Sequence, residues 1–66
     1  MSDYHVSKFA IGKEGAINNR KFDNKEDAEH YAKNQSTSDT AHRYEVQKNN
    51  EGDFDTIKSY LKGEEV

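Results

Sequence analysis

The chain has 66 residues, with thirteen acidic against ten basic for a net charge of −3, and it contains neither Cys nor Pro. Leu, Ile, Val and Phe supply only ten of the 66 residues, below the roughly 20% under which disorder becomes a serious reading. Four Tyr and three Phe remain to be buried, so a single small, weakly cored domain is expected over residues 1–66, with no disulfide to brace it and no apolar run near the about 20 residues of a membrane span.

In chain order, Tyr4, Val6, Phe9 and Ile11 mark residues 4–11 as a strand. Its parity breaks, because Tyr4 and Val6 share one face while Phe9 and Ile11 share the other. Either a bulge near Ser7–Lys8 re-aims the second half, or both faces are partly covered. Gly12-Lys13-Glu14-Gly15 is loop chemistry, and residues 16–22 return as a second, weaker strand to close a hairpin. Asp23 followed by Glu26 reads as a capping box. Ala28, Tyr31 and Ala32 then fall on one helical face, which predicts a helix over about residues 24–34.

Residues 35–40 are all polar and read as a loop. In residues 41–48 His42, Tyr44 and Val46 alternate with Arg43, Glu45 and Gln47, the pattern of a strand. Residues 49–53 are turn chemistry. Residues 54–61 fit a helix through Phe54, Ile57 and Leu61 or a strand through Phe54, Thr56, Lys58 and Tyr60. Their β-branched and aromatic content favours the strand. The expected class is α+β, a small antiparallel sheet of two hairpins with one helix across one face (ββαββ). Tyr31 and Tyr44 are its expected core, and residues 1–3 and 63–66 its frayed tails.

Catalysis finds little footing here. His5, His30 and His42 lie on different elements, with no i,i+4 pair to place two imidazoles together. Glu51, Asp53 and Asp55 lack the terminal Glu of a calcium loop, since Lys62 stands seven residues after Asp55. Ser36, Thr37 and Ser38 have no nucleophile elbow around them, and Gly12 and Gly15 precede a strand, unlike a phosphate loop. No metal, cofactor or enzymatic activity is expected.

Charge separates two binding modes. Residues 1–22 carry +2 through Lys8, Lys13, Arg20 and Lys21 against Asp3 and Glu14; residues 23–40 carry −3 and residues 41–66 carry −2. Phe22-Asp23-Asn24-Lys25-Glu26-Asp27-Ala28, with Tyr31 and Ala32 behind it, resembles the helix start in integrase arm-type DNA-binding domains and their plant transcription-factor counterparts. The resemblance covers about ten residues and implies a helix bracing the back of a sheet that reads the major groove. Those families place several Arg on their strands and put the helix last; this chain does neither. Nucleic-acid binding through Lys8, Lys13, Arg20 and Lys21, or base stacking on Tyr4, Tyr44 and Tyr60, is therefore the alternative expectation. The leading one is a non-enzymatic cytoplasmic interaction module, on the scale of bacterial accessory proteins and phage-encoded inhibitors. It would meet a basic patch on a protein partner through Asp23, Glu26 and Asp27 and through Glu51, Asp53 and Asp55. A thin core and open sheet edges also raise the expectation of a homodimer. The polar start and the lack of Cys underlie the cytoplasmic reading.

Overall fold

Val6 and Val46 are β-branched residues that face each other across adjacent strands, and the sheet is organised around that pair. The computed structural model describes residues 3–66, in the order β1 (Asp3–Ala10), β2 (Asn18–Phe22), α1 (Lys25–Ser38), β3 (His42–Asn50), β4 (Asp53–Leu61) and β5 (Glu64–Glu65). The strands form one antiparallel sheet in the order β2-β1-β3-β4-β5. The α+β architecture of two hairpins around a helix is therefore present, with a short fifth strand added. No helix among the described residues is long and apolar enough to cross a membrane.

The register shows why one helix suffices. Val6 pairs with Arg20 and Val46, Lys8 with Asn18 and Tyr44, and Tyr44 with Tyr60, so these residues share the face that α1 covers. Val6, Tyr44, Val46 and Tyr60 are buried there beneath Ala28 and Ala32, with Tyr4, Phe22 and Tyr31 packed around them. Two alanines one turn apart let the helix approach the sheet closely. Tyr44 is core as expected. Tyr31 is only half-buried, because it sits over β2 with its ring 5.1 Å from Phe22.

Several local expectations shift. No bulge interrupts β1 at Ser7–Lys8, for its pairing is continuous with both neighbours. The parity break instead means that Phe9 lies on the face opposite Val6. The bulge falls in β4. Val46 pairs with Lys58 but Gln47 with Thr56, which leaves Ile57 as an extra residue. Phe54 and Thr56 are consequently on the opposite face from Lys58 and Tyr60, although simple alternation sets all four together.

The helix starts and stops later than the sequence implies. Asn24, not Asp23, is the N-cap: its Oδ1 accepts from the Asp27 N–H at 2.8 Å and its Nδ2 donates to Asp27 Oδ2 at 3.0 Å. Phe22 is held in β2 opposite Tyr4, so the chain needs one more residue to turn, and Asn caps as well as Asp does. At the other end the polar residues 35–38 stay helical. The Ser36 and Thr37 hydroxyls both donate to the Lys33 carbonyl at 2.9 Å, and Ser36 is fully buried. Residues 63–66, read from the sequence as a frayed tail, lie against this last turn. The Gly63 N–H donates to Ser36 Oγ at 3.1 Å and the Val66 N–H to the Ser59 carbonyl at 2.9 Å. Of the other expected tail, Asp3 begins β1 and residues 1–2 lie outside the described residues.

Candidate functional site: the uncovered sheet face and its acidic end

Among the described residues, the face of the sheet away from α1 has no layer over it. The alternation of β1 brings His5, Ser7 and Phe9 to it. The pairings add Asn19 and Lys21 from β2, Arg43, Glu45, Gln47 and Asn49 from β3, and Phe54 and Thr56 from β4. Its centre is a hydrogen-bonded ladder across three strands. Asn19 Nδ2 donates to Ser7 Oγ at 2.8 Å, and Ser7 Oγ donates to Gln47 Oε1 at 3.0 Å. His5 Nδ1 and Asn19 Oδ1 are hydrogen-bonded at 2.7 Å, and His5 Nε2 lies 3.4 Å from Asp3 Oδ2. Thr56 Oγ1 donates to Glu45 Oε1 at 3.1 Å, and the Arg43 guanidinium meets Glu45 at 2.8 Å. Most of these groups bond one another, but His5 Nε2 and Arg43 Nε are buried on this face without a hydrogen-bond partner among the described residues.

Aromatic groups stand at two places on that face. The Phe54 ring lies edge-on to His5, with centroids 4.9 Å apart, and the Arg43 guanidinium lies 5.1 Å from the centre of the Phe9 ring. A groove of about 400 Å³ runs beside Phe9, Arg43 and Glu45 beneath the Gly12–Gly15 loop. The tyrosines proposed for base stacking are elsewhere. Tyr44 and Tyr60 are buried under α1, and Tyr4 packs on that same covered side. The sequence did carry the signal for this: the broken parity of β1 already separates Phe9 from Val6. Phe54 could not be placed, because its face depends on the bulge at Ile57.

The two acidic groups singled out in the sequence lie toward one end of the sheet. Phe22, Tyr4, Lys48 and Asp55 form a row across four strands. Asp23, Glu26 and Asp27 follow that row at the helix start, while Glu51 lies in the β3–β4 turn and Asp53 and Asp55 in the first residues of β4. Asp27 also bonds the cap Asn24, and Asp55 accepts from Asn50 Nδ2 at 2.9 Å. Among the described residues none of these six carboxylates forms a salt bridge; the bridged ones are Asp3, Glu29, Asp39, Glu45 and Glu65. Phe54, next to Asp53 and Asp55 in the chain but on the opposite face of β4 from them, is 49% exposed, and Ile57, three residues on, is 38% exposed.

The four cations of the first hairpin do not form one surface. Lys8 is on the covered side and contacts Asp39 at 3.3 Å. Arg20 is on that side too, its guanidinium 4.9 Å from the Tyr31 ring centre and 5.4 Å from that of Phe22. Lys21 is on the uncovered face, 3.6 Å from Asp3, and Lys13 is in the loop over the groove. Burial works to raise the Asp3 carboxyl, but Asn49, His5 and Lys21 together outweigh it and hold the group below its ordinary value.

Asp39, unremarked in the sequence, is the most heavily engaged ionisable group. It ends α1, where its carboxylate accepts from His42 Nδ1 at 2.8 Å, Tyr44 Oη at 3.1 Å and the Ala41 N–H at 3.2 Å. The His42 bond is the largest of the influences that bring its pKa to about 2, against an opposing push from burial, and Tyr44, Lys8 and Ala41 add to the lowering. Burial, followed by the Asp39 contact, drives the Tyr44 hydroxyl up to about 12. A carboxyl pKa below the ordinary 3.8 means that the unfolded chain binds this proton more readily than the folded one. Its contribution is complete above about pH 4 and is lost as pH falls from there toward 2. Asp39→Asn should therefore flatten the acid limb of a stability–pH curve between those values. A limb of unchanged slope would show that Asp39 does not govern it.

Among the described residues no group of three His, Cys, Asp or Glu is placed to hold a metal ion. No protein-family model, curated protein or solved structure matches the chain.

Proposed function

We propose that the chain is a non-enzymatic interaction module that binds a protein partner through the acidic end of its sheet. The observation that carries this reading is Phe54, about half exposed on the uncovered face, at an end of the sheet where six carboxylates form no salt bridge among the described residues. An exposed aromatic ring supplies the contact area of an interface, and surrounding charge steers the partner toward it. The complementary surface is a basic patch with an apolar centre. Catalysis has no comparable support: Ser7, Asn19, Gln47 and Thr56 on the uncovered face are already hydrogen-bonded to neighbours, and no nucleophile, base and stabiliser converge there among the described residues.

The chain is immobilised and challenged with lysate at about 200 mM salt, where exposed charge pairs are largely screened and apolar contacts are not. A retained partner is expected to lose about tenfold or more in affinity with Phe54→Ala. With Asp53→Lys and Asp55→Lys together, association should slow at low salt far more than at high salt. Circular dichroism checks that these exposed substitutions leave the fold intact. Nucleic acid is examined in parallel with duplex and single-stranded oligonucleotides at about 50 and 200 mM salt. Submicromolar oligonucleotide binding at the higher concentration, abolished by Lys13→Glu, Arg20→Glu and Lys21→Glu, would replace the protein-binding reading.

A further inference from the structure

We propose that the free edge of β2 accepts an extended acidic peptide segment as an additional strand, with two consecutive carboxylates meeting Arg20 and Lys21 on opposite faces of the sheet. This rests on the reading of the chain as a protein-binding module, but it uses the other edge of the sheet.

The two edges differ. On the far side β5 pairs with Tyr60 and Leu61, and the bulge at Ile57 breaks the regular repeat of β4. Bulges and short covering strands are devices that blunt an edge against further pairing. β2 has neither. Its five residues pair in unbroken register with β1, and among the described residues no strand lies outside it. Asn18, Asn19, Arg20 and Lys21 are all exposed. The Asn19 N–H donates to the neighbouring side-chain oxygen Asn18 Oδ1 at 2.8 Å. A carbonyl from an incoming strand can take over that short side-chain contact.

The side chains define which strand fits. Arg20 forms no salt bridge among the described residues and lies over the Tyr31 and Phe22 rings. It borders a crevice of about 80 Å³ that is also lined by Lys8, Asn18, Gln35 and Tyr44. Those cations and amide groups suit a single carboxylate. Lys21, on the opposite face, has a side chain 63% exposed, with Asp3 at 3.6 Å. Residues directly opposite in adjacent strands share a face. A partner residue opposite Arg20 therefore enters on the crevice side, and the next one meets Lys21. Two adjacent Glu or Asp residues satisfy both. A second copy of β2 is the wrong partner, because pairing this strand with itself brings the same two cations together, and like charges across a strand pair repel.

The test uses the full chain and short Val/Thr-rich peptides with a central Glu-Glu, Gln-Gln or Lys-Lys, followed by amide NMR. The Glu-Glu peptide should shift and protect the amides of β2. The Gln-Gln version should bind at least about fivefold more weakly, and the Lys-Lys version not at all. Methylating the peptide's backbone nitrogens at alternate positions should abolish binding in one of the two phases, since only every second N–H faces the sheet. Arg20→Glu with Lys21→Glu, both exposed, should invert the preference toward the Lys-Lys peptide. Binding indifferent to backbone methylation, shifts confined to other elements, or no binding at millimolar peptide would each overturn the proposal. The Phe54 and Asp53/Asp55 experiments remain independent of it. Their effects persisting while the peptide fails would end strand addition alone; their failure while the peptide binds would move the partner site to β2.

Discussion

Tyr44→Ala is expected to leave most of the chain unfolded at 25 °C. Tyr44 is 4% exposed and lies between Lys8 of β1 and Tyr60 of β4, in a core whose other buried apolar members are Val6, Ala28, Ala32, Val46 and Tyr60. Truncating a buried aromatic costs about 3–5 kcal/mol. Below about 70–80 residues a single hydrophobic core rarely supplies more than about 3–5 kcal/mol, so this loss removes most of what the chain has. Tyr44→Phe keeps the ring and removes only the bond to Asp39 Oδ2, 3.1 Å away, at a cost of about 1–3 kcal/mol because the acceptor is charged. Tyr31→Ala should cost less than Tyr44→Ala, since Tyr31 is half-buried at the helix margin. Urea unfolding followed by circular dichroism ranks the three. An unchanged midpoint for Tyr44→Ala would contradict the core described here.

Gly63→Ala is expected to cost about 2–3 kcal/mol and to detach the end of the chain. Lys62 and Gly63 form a two-residue turn with φ of 55° and 80°, joining β4 to β5. A side chain in that left-handed conformation costs about 1–2 kcal/mol. A Cβ on Gly63 would also run into the Thr37 hydroxyl and Cβ on the last turn of α1. Moving Thr37 off its rotamer adds about 0.5–1.5 kcal/mol. The same shift endangers the bond from the Gly63 N–H to the buried Ser36. The two causes separate experimentally. Thr37→Ala should recover the steric part and leave the backbone part. Gly52→Ala should show the backbone part alone, for its φ is 97° and an added Cβ there meets nothing within 4 Å. Hydrogen exchange at the Val66 N–H, which bonds the Ser59 carbonyl, reports the loss of β5 directly. Equal costs for Gly63→Ala and Gly52→Ala would mean that Thr37 plays no part.

Ser36 shows why the end of the helix was hard to read. Gln35-Ser36-Thr37-Ser38 has the composition of a loop, since serine and threonine offer the backbone competing hydrogen bonds. Here those hydroxyls bond back to Lys33, and Ser36 also serves Gly63, twenty-seven residues away. No local pattern encodes that second contact. Asp39 is similar: a loop aspartate until the fold gathers His42, Tyr44 and Lys8 around it.

Local chemistry by itself determined the succession of elements from β1 to β4, but not β5. Gly12 and Gly15 bracket a turn, an Asx residue caps a helix with Ala28 and Ala32 on its inner face, and His42, Tyr44 and Val46 alternate inward. Each of these depends on neighbours within a few residues, and backbone sterics and periodicity act at that range. The candidate surfaces were decided by tertiary structure. Phe54 faces outward with His5 because pairing across β3 and β4 slips by one residue at Ile57, and one extra residue reverses the face of everything beyond it. The four cations of the first hairpin are dispersed because Lys8 and Arg20 have one parity and Lys21 the other, and only the position of α1 makes one of those faces the covered one. Which side is left open is settled by where the helix packs, a choice among residues far apart in the chain.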